Sequence, residues 1–271
     1  MNPINKTPRP PANFARSRLN DSNRDRLINF ASPLMLLAAW EVAARAGWLD
    51  ARFFPAPSRI FETLVTLIES GALWAHTWAS LTRLFWGVIL GGIPGLLLGV
   101  AMGLNRPLRA VFDPLISATY PIPKSAILPL ILLIFGLGEA SKIAMVAIGV
   151  FYPILINATA GVLEINKIYL DVGRNFGAGR WQVFRTIALP GALPLIMSGL
   201  RLGVGMGLIL IAIAEMIGAK NGLGYMIWNA WEILSVEAMY VGLIVIALLG
   251  FLFSMALKEM ERYVIPWKAE R

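Results

Sequence analysis

Cysteine is absent from this chain of 271 residues, which excludes disulfides, thiolate metal sites and cysteine nucleophiles together. Histidine occurs once, at His76, too few for a histidine metal site or proton relay and better read as an interfacial residue. Charge is also scarce: 15% of residues are charged, against roughly 25% in an ordinary soluble domain. No Gly-x-x-x-x-Gly-Lys-[Ser/Thr] phosphate loop occurs, and the nearest imitation, residues 136–142, has the wrong spacing. Neither a Ser/His/Asp set nor a pair of carboxylates stands in a plausible site. No catalytic residue, metal or cofactor is therefore expected on this chain. Any uphill work must be powered from outside it.

What is abundant is apolar length. Hydrophobic residues make up 57% of the chain. They fall in blocks of about 20, the length a helix needs to cross ~30 Å of hydrocarbon. No alternating ten-residue pattern repeats, so the chain reads as an all-α integral membrane protein rather than a barrel. Six spans are expected, near 27–46, 84–104, 111–137, 143–162, 193–218 and 238–257.

The net charge of +8 could suggest a nucleic-acid partner, but its distribution speaks of topology. With the N-terminus inside, segments 1–26, 105–110, 163–192 and 258–271 hold sixteen of the 24 Lys and Arg. The outer connections hold only Arg52, Arg59, Lys142 and Lys220. The positive-inside rule then puts both termini in the cytoplasm. Trp48, Trp74, Trp78, Trp228 and Trp231 fall near the outer interface, and Trp181 and Trp267 near the inner one. Residues 1–26 read as a basic disordered tail rather than a signal peptide. Residues 27–80 read as the first span with an external amphipathic helix over 56–80. A core domain over 81–262 follows, carrying the cytoplasmic loop 163–192, and a tail over 263–271 closes the chain.

Gly87, Gly91, Gly95, Gly99 and Gly103 recur every four residues along the second span. They make a smooth, slowly winding stripe where helix backbones can approach closely. Two uses fit the stripe: packing inside one chain, or a sliding or dimer-forming surface. Ionisable groups within spans are costly and usually face a cavity or a partner. Glu41, Lys124, Arg201 and Glu215 qualify as candidates for a translocation path. Lys124 stands among Pro121, Pro123 and Pro129, which should break or kink the third span. A cation there could attract an anion in transit, or it could pair with helix carbonyls or with Glu41. Arg201 and Glu215 lie fourteen residues apart on one helix and cannot pair there.

The polar connection at 171–190 is basic and ends at Pro190, just before the next span. It resembles the signature loop of binding-protein-dependent ABC permeases, in which Glu-Ala-Ala precedes a glycine and then Ile-x-Leu-Pro. Gly177, Ile187, Leu189 and Pro190 match that spacing, while Asp171, Val172 and Gly173 replace the triplet. Arg174 and Phe176 complete the segment. Further likenesses are Pro121-Ile-Pro, Leu128-Pro129-Leu130, Phe135-Gly-Leu-Gly-Glu139 and Gly222-Leu-Gly-Tyr225. The combination is similar to the subgroup that imports nitrate, sulfonates, taurine or bicarbonate-like anions.

The resemblance implies a type I importer fold in the bacterial plasma membrane and a docking role for the 171–190 segment. It also implies two permease copies, a dimeric ATPase that binds ATP and Mg, and a periplasmic or lipid-anchored binding protein. An ion-coupled secondary carrier would instead show broken helices at matching places in two inverted halves. No mate for the 121–129 break is evident in the second half.

Overall fold

The computed structural model describes residues 31–267, and every regular element among them is helical. The basic tail 1–26, the start of the 27–46 span, Lys268 and Arg271 lie outside the described residues. Contacts divide the chain after Glu62 into two units.

In the first unit, helix α1 is described over 31–45, and α2 (Pro57–Glu69) begins after a turn. The Glu41 carboxylate on α1 accepts from the Ser58 backbone N–H at 2.9 Å and from its hydroxyl at 2.8 Å. A carboxylate here meets the free N–H groups of the first turn of α2 and the positive end of its dipole. Arg45, one turn further along α1, pairs with Glu41 and also reaches the Ser58 hydroxyl.

The second unit contains α3 (Ala72–Leu104), α4 (Arg106–Thr119), a 3₁₀ turn (Lys124–Ile127), α5 (Leu128–Phe135) and α6 (Glu139–Leu163). Next come α7 (Lys167–Asn175), α8 (Arg180–Val183), a π-helical turn (Phe184–Ala188) and α9 (Leu189–Met216). The last two are α10 (Leu223–Glu232) and α11 (Val236–Val264). Among the described residues, four helices are long and apolar enough to cross a bilayer: Ala72–Leu104, Glu139–Leu163, Trp181–Met216 and Val236–Val264.

Several expected boundaries move. The 111–137 stretch is no single rod: its two helical pieces are bent by 87°. Pro121 and Pro123 explain the break, since each lacks an N–H and disfavours helix in the residue before it. The helical pattern over 56–80 is two helices, split where Gly71 takes a left-handed φ of 75°. Residues from Ala72 on belong to the long α3. Helix α6 starts at Glu139, so Lys142 lies inside a helix rather than in a connection. The fifth span begins inside the 163–192 segment, at Trp181.

The glycine stripe of α3 lies against α6. A Cβ at Gly91 would overlap the Ala147 carbonyl. At Gly95 and Gly99 it would meet the Phe151 and Leu155 carbonyl oxygens at 2.8 and 2.5 Å. Contacts advance together along both helices, so α3 and α6 run parallel. Helix α9 packs on α6 in the opposite sense, with Gly203 near Val150 and Gly199 near Pro153. Lipid offers no hydrophobic drive for such contacts, so close backbone approach and dense packing must hold them. Leu84, Val146, Val150, Ile154, Leu208 and Ile211 fill the space where the three helices meet.

Candidate functional site

Helix α7 is short and amphipathic. Its outward face exposes Ile168, Tyr169 and Val172, and Phe176 just beyond it is 88% exposed. Beside that face the packing is tight: Gly173 is buried, and a Cβ there would stand 2.7 Å from Ile187 Cδ1. Gly173, a departure from the resembled triplet, is thus what lets Ile187 pack beneath α7. The helix ends at Gly177, whose φ of 72° is left-handed, with the Ala178 N–H donating back to the Gly173 carbonyl at 2.9 Å. This is the glycine-terminated helix end that an L side chain would strain.

After the turn, the Gly179 N–H donates to Gln182 Oε1 at 3.0 Å, and Trp181 stacks on Phe184 at 5.1 Å. The π-helical turn then leads into α9, with the Leu189 N–H donating to the Phe184 carbonyl. The wider turn lies where the Pro190 ring would otherwise crowd the carbonyl four residues back. A groove of about 620 Å³ remains open, lined by Ile165, Tyr169, Val172, Phe176, Ile187, Pro190 and Trp267 among others. Asp171 is exposed, Ile187 and Leu189 are half-buried, and the Arg174 side chain lies outside what the structure describes. The Gly177–Pro190 frame and the face of α7 are therefore brought together as one surface.

Of the four charges expected within spans, Lys124, Arg201 and Glu215 are not gathered into one site. Glu41 is engaged by Ser58 and Arg45. Arg201 donates to Glu261 at 2.7 Å, tying α9 to α11. Lys124 is buried, and its ammonium donates to the carbonyls of Thr119, Tyr120 and Ile122. Glu215 is fully buried and accepts from Arg83 Nη1 at 2.7 Å.

Around Glu215 stands a cluster that sequence reading missed. Arg83 makes a two-pronged contact with Glu139, at 2.6 and 2.7 Å, and also donates to the Asn221 carbonyl at 2.8 Å. The Ser80 hydroxyl donates to Glu215 and accepts from the Leu223 N–H at 2.8 Å. The Gly224 N–H donates to Glu215 Oε2 at 2.9 Å. Glu215 and Ser80 thus serve the free N–H groups at the start of α10, which water would otherwise have to satisfy. Gly222, at a φ of 115°, has no room for a Cβ, which would overlap the Glu215 carboxylate. Its N–H donates to His76 Nδ1 at 3.1 Å. Lys142, also buried, donates to the Leu137, Gly138 and Gly218 carbonyls. One signal could have exposed the cluster: Ser80, Arg83, Gly87 and Gly91 share one helical face, so the glycine stripe runs into polar residues.

With this architecture in view, residues 95–267 match the family described as binding-protein-dependent transport system inner membrane component. The taurine transport system permease protein TauC of Escherichia coli (strain K12) is 35% identical over 253 residues, covering 92% of each chain. The putative aliphatic sulfonates transport permease protein SsuC of the same strain is 36% identical over 242 residues, covering 89% of this chain and 92% of that one. The SsuC of Bacillus subtilis (strain 168) is 32% identical over 236 residues, covering 87% and 86%. Among solved structures, the MetNI methionine ABC transporter in an inward facing conformation aligns with a TM-score of 0.61 at 22% identity. That alignment covers 71% of this chain and 97% of that chain, and it speaks for the fold. The chain therefore belongs to the family of binding-protein-dependent transport system inner membrane components and is an ABC importer permease.

Proposed function

We propose that this permease imports a small sulfonate-class anion, delivered by an extracytoplasmic binding protein, with ATP and Mg bound and spent on a separate dimeric ATPase. The anion class is supported by relatives named for taurine and aliphatic sulfonates. The ATPase reading rests on one observation above all: the exposed apolar face of α7 and its groove, joined through the Gly177 turn to the Trp181–Met216 helix. An unpartnered apolar surface outside the bilayer calls for a protein partner. Asp171, Val172, Gly173, Arg174, Phe176, Gly177, Ile187, Leu189 and Pro190 form this docking segment. Two permease copies would enclose the path between them, in the plasma membrane, with the charge bias placing the docking segment and both termini in the cytoplasm.

Of the intramembrane charges we assign Lys124 to the path, because Glu41, Arg201 and Glu215 are each spent in an ion pair. The Gly87–Gly103 stripe we assign to packing within the chain, on its contacts with α6.

Co-expression with the partner ATPase and binding protein tests this. Wild type should retain the ATPase through purification and support ATP-dependent ethanesulfonate uptake, and Gly177→Trp should lose both. Undiminished ATP-driven uptake by Gly177→Trp, with no ATPase bound to wild type, would sink the docking reading.

A further inference from the structure

The break between α4 and α5 leaves backbone groups without helical partners. Thr119, Tyr120 and Ile122 present carbonyl oxygens there, while Pro121 and Pro123 bring no N–H. Such carbonyls are costly at membrane depth unless something satisfies them. Lys124 does so, donating to them at 3.0, 2.9 and 2.9 Å, which uses all three of its protons. The ammonium also lies 4.3 Å from the Tyr152 ring centre and 5.8 Å from that of Tyr120, within reach of both π faces.

None of these partners carries a charge, and among the described residues Lys124 makes no ion pair. Arg45, Arg83 and Arg201 each face a carboxylate instead. Lys142, likewise held by carbonyls, sits beside the Arg83–Glu139–Glu215 cluster. The break therefore keeps an uncompensated positive charge, surrounded by exposed Tyr120, Ile122 and Ser125. Stripped of that ammonium, the same place would be a group of converging carbonyl oxygens, the chemistry that coordinates cations.

We propose that Lys124 sets the charge selectivity of the path: its ammonium converts a carbonyl-lined break that would favour cations into one that an anion can cross. Since all its donors are spent, Lys124 acts through its field and is a positioning residue rather than a direct ligand. This rests on the anion reading above.

The test uses the complete complex with ATPase and binding protein in proteoliposomes, with ethanesulfonate as the probe. Lys124→Arg keeps the charge and should stay within about threefold of wild type. Lys124→Gln keeps donors for the carbonyls but not the charge, and should lower the maximal rate about tenfold or more, the scale of one unit charge in a span. KM, governed by the binding protein, should not move. Ser125→Glu, at an exposed position with no folding demand, should also cut the rate about tenfold by opposing the Lys124 charge.

A Lys124→Gln complex as fast as the Arg variant would reduce Lys124 to a carbonyl cap and overturn the proposal. If Lys124→Gln fails to assemble, Ser125→Glu decides alone, and wild-type rates there overturn it. A wild-type complex that hydrolyses ATP yet carries no ethanesulfonate is a failure of the sulfonate reading and takes this proposal with it.

Discussion

Arg83 and Glu215 meet at 2.7 Å with neither side chain open to solvent, although 132 positions separate them in the chain. The contact binds α3 to α9, and the same carboxylate holds the start of α10 through the Gly224 N–H. Glu139 extends the bond to α6. Two buried cations and two carboxylates thus gather at one end of the helices, with Glu215 fully buried among them and Glu139 at the exposed edge. In a low-dielectric interior such a network is stable only while it is complete.

Removing one member should therefore cost far more than removing a surface charge. Glu215→Ala takes the buried carboxylate from Arg83 and leaves the Gly224 N–H and the Ser80 hydroxyl without their acceptor, and a loss of roughly 3–5 kcal/mol is expected. Glu215→Gln, which keeps size and an acceptor, should lose less. Thermal unfolding of the purified protein in detergent reads both, and a Glu215→Ala protein melting with wild type would contradict the role given to the cluster.

Gly91 and Gly92 are neighbours with opposite tolerance. A methyl at Gly91 would run into the Ala147 backbone, whereas at Gly92 it meets side chains alone, the flexible Ile154 Cδ1 at 3.2 Å and Val150 Cγ1 at 3.8 Å. Gly91→Ala should destabilise the α3–α6 pair by about 1–3 kcal/mol through overpacking. Gly92→Ala should be nearly neutral or slightly stabilising, through helix propensity. Equal unfolding midpoints for the two variants would refute the close approach at Gly91.

Phe176 offers a way to separate docking from folding. At 88% exposure it contributes little to the chain's own packing, so Phe176→Ser should leave unfolding within about 0.5 kcal/mol of wild type. The same variant should lose most of the ATPase in co-purification. Retention of the full ATPase complement would move the docking surface away from this groove.

The lack of native cysteine makes the topology directly measurable. Ile233→Cys lies in the α10–α11 turn at an exposed position, and Gln182→Cys is exposed beside the docking segment. An impermeant maleimide should label the first in intact cells and the second only after the membrane is opened. The reverse pattern would invert the orientation taken from the charge bias.

Much of this architecture was legible because it is written in local quantities. Apolar run lengths located four of the six expected spans among the described residues, and Pro121 and Pro123 marked the break in a further one, since both act through the backbone of their own segment. The 87° bend was not legible, because its angle depends on what α4 and α5 pack against. The polar cluster stayed hidden for a related reason. Arg83 falls one residue before the expected second span, and Lys142 was counted with the outer loops, so neither stood out as an intramembrane charge. Their significance lies in partners 132 and 76 positions away, which no local pattern encodes. In the proposed docking segment, Gly177 was readable as a turn, whereas the reason for Gly173 is the Ile187 side chain lying against it.

The helix from Trp181 to Met216 joins these two worlds. Its π-helical turn carries the chain past Pro190, so 36 residues, about 54 Å at 1.5 Å each, form one continuous helical span that also takes in Pro194. Its first turns adjoin the groove, and its last turn holds the carboxylate that grips Arg83. If the proposed ATPase presses on the groove, this helix is the element that would carry the load toward Glu215 and its ion pair with Arg83.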